Sequence, residues 1–583
     1  MTAAIQNNYS KLSLYLIGVL SLLLIYFFMW RTDSIGYSSV IGGDGNDYYS
    51  YLMSIFIDKN LGHQDTAPWY IIQTPTGTIN VHMIGVSLML LPFFMIGLLW
   101  ANLGGYDING ISEPFQKMIS IGALFYLMIG LYFIRGILLK RNYNEKTVAI
   151  VLLLIFSGTN LLNYAINEPT MSHVYSFALM AAFLYGTFKM MTQPSSKYFV
   201  FVAIISALIV LIRPTNILIV FIIPLWFNTW NEFIAAIKNI YIQHKVKVVF
   251  AKLIFFGVLF LQSIVWFFQN GKLLQWSYKD NGMYLFSPNT IKMLFGFNAG
   301  FFIYTPLCLL LLFGLLPMYK DHRYHFMVLS LFFLFTFYFL SCHWAYTYFD
   351  GLSIRALVDF LPVFAISGAA LINKILNVKY KPVVLSGITL TVLFNLMICY
   401  QYKAGILPPA GMNYAKFKYI LFKTDVKYAG VLGGCNDLLP YSKNHPSAIL
   451  TSVSAFDETG SFDYKDKEYG VAYEVPQLGF ATSKIYVKVQ LKRKEASINS
   501  SENALLVLHI EAPDKTSRNF QCYKLNDTPS ESCCDWQSWN YAVTMDGKIQ
   551  AGDRFVVYIW NKEKKEFFID DFKVEVYNYN YTG

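Results

Sequence analysis

The stretch Gly42-Gly43-Asp44-Gly45-Asn46-Asp47-Tyr48-Tyr49 follows the first long apolar segment of the chain, where the edge of a membrane is expected. It combines two carboxylates with three glycines. Because the carboxylates are three residues apart, they share one face of a helix that begins here or bracket its first turn. Both side chains can therefore reach one ligand, which makes this loop the leading candidate site.

Simpler roles for the same loop stay open. Asn46 or Asp47 could cap the helix while the glycines form the turn. A calcium loop is excluded, because Tyr48 occupies the next alternate position after Asp44 and Asn46, and the expected glycine and glutamate do not follow.

The composition is typical of a membrane protein. Of 583 residues, 55% are hydrophobic and 14% are charged, as expected of repeated membrane spans. The net charge of +10 does not indicate nucleic acid, because the basic residues fall mostly in short links between apolar runs, where they set topology. The cysteines show no metal-ligand spacing, and those of the polar tail could form disulfides outside the cytoplasm: Cys435, Cys522, Cys533 and Cys534.

Apolar runs and basic links predict about 11 membrane helices, with the N-terminus in the cytoplasm. The run from His82 to Trp100 contains Pro92, and leaving it out makes every basic link cytoplasmic, so we expect it to be re-entrant or interfacial on the outer side. The run 198–227 is broken at Arg213-Pro214, where two short helices should meet. The other predicted spans are Lys11–Trp30, Phe115–Leu139, Val148–Leu162, Val174–Met191, Leu253–Asn270, Ala299–Tyr319, Phe326–Cys342, Ala356–Leu376 and Val383–Tyr402.

The C-terminal part has a different pattern. From Tyr469 onward, runs such as Lys484–Val489 and Arg554–Trp560 alternate with period two and are rich in aromatic and β-branched residues, which predicts a β-sandwich. The predicted fold class is a multi-pass α-helical membrane protein followed by an extracytoplasmic all-β domain. Its expected parts are a membrane domain (1–404) with a first periplasmic loop (31–114), a linker (405–468) and the β domain (469–583).

Further candidates lie in the predicted outer loops. Glu168 and His173 precede a span, although Thr170 or Ser172 could simply be an N-cap there. Arg213 lies between two apolar runs, where an unpaired charge is costly, so it either pairs with an acid or binds an anionic group.

Aromatic residues form a second group of candidates. The run His343-Trp344-Ala345-Tyr346 leads to Asp350 and Arg355. Aromatic residues at a membrane edge are usually anchors, and the alternative is a platform for a sugar, with Arg355 holding a phosphate. The remaining substrate-binding candidates are Trp276 and Tyr278 in a similar loop, and Tyr48 and Tyr49 beside the carboxylates.

This order of helices, outer acids and basic turns, across residues 11–402, resembles the GT-C superfamily of glycosyltransferases that use polyprenyl-phosphate sugars. It is most similar to the branch of lipid A aminoarabinose transferases and protein O-mannosyltransferases. The resemblance implies that Asp44, or else Asp47, is the catalytic or metal-associated carboxylate and that Glu168 is the second outer acid. The first loop of this chain has neither a plain Asp-Asp nor an Asp-Glu pair, so the cofactor stays open, with a divalent cation as the candidate. The tail resembles a carbohydrate-binding β-sandwich, through its strand pattern and Phe568-Ile569-Asp570-Asp571-Phe572.

The predicted function is an inverting transfer of a sugar from a lipid-linked donor to a hydroxyl of a glycan, lipid or protein, at the outer side of the inner membrane. Such a reaction needs a carboxylate to deprotonate the acceptor and a cation to stabilise the departing phosphate. Asp44 suits the first role, and Arg213 or Arg355 suits the second. One alternative is a transporter or flippase of lipid-linked glycans, which predicts polar residues in mid-span. Another is a membrane-anchored assembly protein, which would not need about 11 spans.

Overall fold

The computed structural model describes residues 8–30, 40–62, 71–277, 282–348, 351–425, 428, 448–456, 461–497, 500–501, 503–525 and 534–579. The chain forms two compact units, Met1–Cys399 and Tyr400–Gly583. The first is helical and the second is mainly β-sheet. The predicted fold class, a helical membrane protein followed by an all-β region, is confirmed at this level.

The first unit is built from helices joined by short links. Helices α1 to α16 are, in chain order, Tyr9–Ile25, Asp44–Phe56, Gly85–Gly104, Glu113–Lys140, Glu145–Ser157, Leu161–Ile166, His173–Thr192, Ser196–Ile212, Trp230–Gln243, Lys245–Asn270, Thr290–Phe295, Phe301–Tyr304, Pro306–Leu312, Leu315–Asp321, Arg323–Ser341 and Leu361–Leu376. Tyr26–Trp30 continues α1 as a π-helix, and two 3-10 helices are present, Pro214–Trp226 and Arg355–Phe360. Helices α17 (Lys381–Lys403) and α18 (Tyr414–Ile420) follow.

Within the described residues, eight helices are long and apolar enough to cross a membrane, or nine if the bent pair Pro214–Trp226 and Trp230–Gln243 is one span. The break predicted at Arg213-Pro214 is confirmed, because α8 ends at Ile212 and the 3-10 helix begins at Pro214. The full count of spans stays a prediction.

Two predicted single spans are wrong, because close helix contacts break them. The run Ala299–Tyr319 divides into α12, α13 and α14. At the last break Gly314 is so close to α16 that an added Cβ would lie 1.8 Å from the carbonyl oxygen of Ser367. The run Val148–Leu162 divides into α5 and α6, with Gly158 against Leu307 between them.

Several helices of the first unit have their termini at one of two opposite ends of that unit. Helix α7 begins at His173, the 3-10 helices begin at Pro214 and Arg355, and α15 finishes at Ser341. These termini lie at what we call the Asp44 end, where the charged cluster described below is found. The opposite ends of α7, of the 3-10 helix Pro214–Trp226 and of α15 lie around Lys140, together with the C-terminal end of α16, which follows the 3-10 helix Arg355–Phe360. We call this the Lys140 end.

Helix α3 packs against the N-terminal half of α4. The hydroxyl of Tyr126 donates to the carbonyl of Met89 at 2.9 Å. An added Cβ at Gly97 would lie 3.1 Å from the Cα of Phe115. Helix α3 therefore starts at the Asp44 end and runs away from the Lys140 end. By length and composition it could cross a membrane, and its predicted interfacial or re-entrant placement stays a prediction.

Strands β3 to β11 of the second unit are Ala448–Phe456, Phe462–Asp463, Tyr469–Val475, Thr482–Glu495, Leu505–Glu511, Ser517–Lys524, Gln537–Ile549, Arg554–Trp560 and Phe567–Tyr579. They form two antiparallel sheets, with strand orders β5-β10-β7-β8 and β3-β11-β6-β9, and β4 pairs with β11. The two sheets share one hydrophobic core, which includes Val557 of β10 and Val574 of β11. Two of these strands, β3 and β4, lie in the stretch 405–468 that we expected to be a linker, so the β region begins earlier than predicted. A small hairpin, β1 (Ile71–Thr74) with β2 (Gly77–Asn80), belongs to the first unit.

Candidate active site

The first turn of α2 is shaped by glycine. Gly43 is the N-cap, with a left-handed φ of 55°, and Asp44 is the first helical residue. No side chain caps this helix, so the alternative in which Asn46 or Asp47 is the cap is wrong. The backbone itself makes the turn and leaves both carboxylates available for other partners.

A second glycine brings the two predicted acidic loops together. A Cβ added at Gly45 would lie 2.1 Å from Oγ1 of Thr170, a distance that no side chain tolerates. Thr170 is fixed there because its hydroxyl donates to the carbonyl of Val40 at 2.9 Å. Ser172 is the N-cap residue of α7, but its side chain makes no capping bond. The loop Asn167–His173 therefore lies directly against the start of α2.

Asp44 forms an ion pair with Arg355. The distance from Oδ2 of Asp44 to Nη2 of Arg355 is 2.9 Å, and the two side chains are only 13% and 8% exposed. Burial alone would raise the pKa of Asp44, but the positive charge of Arg355, with a contribution from Arg213, outweighs burial and lowers this pKa to about 2. Asp44 is therefore a carboxylate throughout the physiological pH range.

Asp47 is fully buried and pairs with His82. Nδ1 of His82 lies 2.9 Å from Oδ2 of Asp47, and the imidazole packs against the ring of Tyr48 with centroids 4.9 Å apart. Asn80 donates to the backbone carbonyl of Asp47 at 2.9 Å. Tyr49 has a structural role, because it is buried and its hydroxyl donates to the carbonyl of Gly110 at 2.5 Å. Asp47 thus joins α2 to the chain before α3.

His173 belongs to a buried polar group. Its Nδ1 lies 2.8 Å from Oδ1 of Asp359, and both side chains are 0% exposed. Asn216 donates to the other oxygen of Asp359 at 2.8 Å and to the hydroxyl of Ser176 at 3.0 Å. With Nδ1–H donating to the carboxylate, Nε2 of His173 carries the lone pair, and it has no partner among the described residues.

Two guanidinium groups lie beside these acids. Arg213 donates to the hydroxyl of Ser172 at 3.4 Å and lies over the ring of Tyr348, 6.0 Å from its centroid. Nη1 of Arg213 and Nε of Arg355 are buried and have no hydrogen-bond partner in the described part of the chain. Buried N–H groups without acceptors are costly, so this pair favours an anionic ligand such as a phosphate.

Glu168 lies close enough to act electrostatically on Arg355. Its Oε2 accepts a hydrogen bond of 3.3 Å from Nδ2 of Asn163. The structure therefore brings both predicted outer acids, Asp44 and Glu168, to one arginine.

The two aromatic loops meet. His343 forms a β-bridge with Met283, and the backbone N–H of Trp344 donates to Gly282 at 3.1 Å. The imidazole of His343 stacks on Tyr348 with centroids 4.8 Å apart, and burial lowers the pKa of this histidine. His343 thus reaches Arg213 through Tyr348. Among the other predicted residues, Trp276 and Trp344 are exposed, Tyr346 is half-buried, and Tyr278 and Asp350 lie outside the described residues.

Sequence reasoning missed His82, Asn216 and Asp359 as members of the site. Asp359 had a usable signal, because a carboxylate inside an apolar run is costly and marks a functional or paired group. His82 was treated only as the polar start of an apolar run, and Asn216 only as part of the break after Arg213.

The described residues contain no group of three or more His, Cys, Asp or Glu side chains that could hold a metal ion. Asp44 and Asp47 are instead paired with Arg355 and His82. These donors do not fit the divalent cation that was left open as a candidate, and we derive no chemical step through one.

Two solved structures are similar to this chain. The archaeal oligosaccharyltransferase AglB from Archaeoglobus fulgidus, in complex with an inhibitory peptide and a dolichol-phosphate, is 13% identical with a TM-score of 0.40, over 73% of this chain and 59% of that one. The arabinosyltransferase EmbB from Mycobacterium smegmatis is 11% identical with a TM-score of 0.39, over 99% of this chain and 65% of that one. This chain thus spans less than two thirds of either protein, and likenesses at these scores carry no argument about activity. No family model and no curated protein matches the chain.

Proposed function

We propose that this chain is an integral-membrane glycosyltransferase that moves a sugar from a polyprenyl-phosphate donor to an acceptor hydroxyl. The observation that supports this most is the ionised carboxylate of Asp44, which forms an ion pair with Arg355 and feels the charge of Arg213. Each of these two guanidinium groups keeps one buried N–H without a hydrogen-bond partner among the described residues. A carboxylate suits a hydroxyl acceptor, and guanidinium groups suit a phosphate leaving group.

In the proposed reaction the acceptor oxygen attacks the anomeric carbon of the sugar. The bond from that carbon to the phosphate oxygen breaks, and its electron pair stays on the phosphate. The acceptor proton passes to Asp44, and Arg213 and Arg355 stabilise the negative charge that develops on the phosphate. Attack opposite the leaving group inverts the anomeric configuration. The acceptor is a glycan, lipid or protein.

The position of the charges favours a transferase over a transporter of lipid-linked glycans. A transporter needs its polar site near the middle of the membrane. Here Asp44, Arg213 and Arg355 lie at the ends of their helices. We propose that this end faces the outer side of the inner membrane, with the N-terminus in the cytoplasm.

A transfer assay tests the proposal. The purified chain in proteoliposomes is given polyprenyl-phosphate sugars and a mixture of membrane glycan, lipid and protein acceptors, and products are identified by mass spectrometry. We expect an acceptor whose mass increases by one sugar, together with release of polyprenyl phosphate. Movement of intact donor across the bilayer with no acceptor product would instead establish the transporter.

A further inference from the structure

The pocket at the Lys140 end is a second polar site, distant from Asp44. It has a volume of about 600 Å³, which is typical of small-ligand sites. His173 starts α7 at the Asp44 end, and Phe188 of the same helix lines this pocket. The helix between them is about 22 Å long at 1.5 Å per residue, so the two sites do not overlap.

Positive charge dominates the pocket. Lys140, Arg141 and Lys374 line it, and Asp321 is the one carboxylate among its described lining residues. In the part of the chain that the structure describes, none of these three cations forms an ion pair. The described lining therefore carries three cationic side chains against one carboxylate, a net positive charge.

Arg141 is held by neutral groups. Its Nη1 donates to the carbonyl of Leu225 at 3.3 Å, and its Nη2 lies 3.3 Å from Nδ1 of His325. His325 uses its other nitrogen to donate to the carbonyl of Phe227 at 2.9 Å, so Nδ1 is the acceptor for Arg141. Nε of Arg141 is shielded from solvent and has no hydrogen-bond partner among the described residues. Arg141 lines the pocket, and these neutral partners leave its positive charge uncompensated, so the guanidinium can attract an anionic oxygen there.

The pocket lies where a membrane surface is expected. Trp226 lines it, and immediately beyond, α9 leaves the 3-10 helix at an angle of 107°. Trp230 and Ile234 of α9 are exposed apolar side chains, 43% and 47% accessible. A tryptophan-rich break followed by a helix with exposed apolar residues, turned across the end of the spans, is typical of the membrane–water interface. Phospholipid phosphates occupy the same level.

We propose that this pocket binds a phosphate group, supplied by the headgroup of an anionic phospholipid in the adjacent leaflet. Arg141 holds the phosphate by charge-assisted hydrogen bonds, and Lys140 and Lys374 supply further positive charge. A soluble phosphate ester offers the same oxygens, but the position of the pocket at the expected membrane–water interface favours the lipid. This site is independent of the proposed transfer reaction.

Native mass spectrometry of the full chain in detergent tests the proposal. The probes are dioleoyl phosphatidylglycerol, dioleoylglycerol as the matched lipid without phosphate, and inorganic phosphate. We expect phosphatidylglycerol to bind at least tenfold more tightly than dioleoylglycerol, about the effect of one charge-assisted contact. Binding of inorganic phosphate instead of the lipid would support the phosphate site and assign it to soluble esters. Equal binding of the two lipids with no phosphate bound would overturn the proposal.

Matched variants separate the pocket from the basic surface around it. Arg141→Gln should weaken phosphatidylglycerol binding about tenfold, and Lys374→Gln, at an exposed position that tolerates substitution, should weaken it about threefold. Asp321→Asn should strengthen binding, because it removes the carboxylate from the lining. Lys197→Gln removes an exposed charge at the same end, outside the pocket, and should change nothing. Unchanged binding in both Arg141→Gln and Lys374→Gln, or weaker binding in Asp321→Asn, would refute the site.

Discussion

Replacing Asp44 with asparagine removes the charge of the proposed base and keeps its size. The lowering of the Asp44 pKa from 3.8 to about 2 corresponds to about 2 kcal/mol in favour of the carboxylate, at 1.36 kcal/mol per pKa unit. Asparagine loses this stabilisation and leaves the guanidinium of Arg355 without its ion-pair partner. We therefore expect the free energy of unfolding at neutral pH to fall by about 2 kcal/mol.

Asp44→Asn should also lower the turnover of the folded protein. Loss of a general base costs about 10² to 10⁴ in rate, so folded Asp44→Asn should retain at most about 1% of the wild-type turnover. Arg213→Gln should behave differently, with a higher KM for the lipid donor and a smaller change in kcat, because its charge contacts the phosphate before and during reaction. Both are measured in the transfer assay with a saturating acceptor.

Asp58→Asn is the matched control. Asp58 lies just beyond the C-terminal end of α2 and is exposed, so the substitution removes a carboxylate from the same helix region without touching Arg355. Its turnover should equal that of the wild type. If Asp44→Asn were folded and equally active, the assignment of Asp44 as the base would be wrong, and Glu168 would be the next candidate.

Three further predictions concern packing and topology. Asp47→Asn should lower the free energy of unfolding by about 1–3 kcal/mol, because it weakens a buried charged hydrogen bond; thermal unfolding in detergent measures this, and an unchanged midpoint would contradict it. Gly45→Ala should prevent folding by colliding with Thr170, and the second substitution Thr170→Gly should restore expression; no rescue would refute the contact. Single cysteines at positions 168 and 245 should react with an impermeant reagent from opposite sides of the membrane, and labelling from one side would overturn the proposed topology.

Much of the fold could be predicted because hydropathy and alternation are local signals. The spans around α4, α7 and α15 and the strands around β6 and β10 appear in the sequence as long apolar runs or alternating runs. The breaks between α12, α13 and α14 could not be predicted in this way. They depend on tertiary contacts, such as Gly314 against Ser367, that leave the apolar composition unchanged.

The site was predicted as single residues and not as pairs. Asp44 and Arg355 were both identified, yet their ion pair joins loops more than 300 residues apart, and nothing in a single sequence reports such a pairing. The capping alternative for Asp47 was wrong because Gly43 starts the helix by backbone conformation. Asp359 was overlooked because it lies inside a run that we treated as a uniform apolar span.

The low pKa of Asp44 is compatible with its proposed role as a base. A hydroxyl is a poor proton donor before it bonds to the sugar, and no carboxylate near pKa 2 could deprotonate it then. As the bond to the anomeric carbon forms, the oxygen becomes positively charged and its proton becomes strongly acidic, so a weak base is sufficient. The ion pair with Arg355 keeps Asp44 ionised and oriented. Because the folded-state pKa is lowered, the stability that this carboxylate contributes is present above about pH 4 and is lost as the pH falls towards about 2. An acidic decline of kcat/KM near neutral pH must therefore arise from another group.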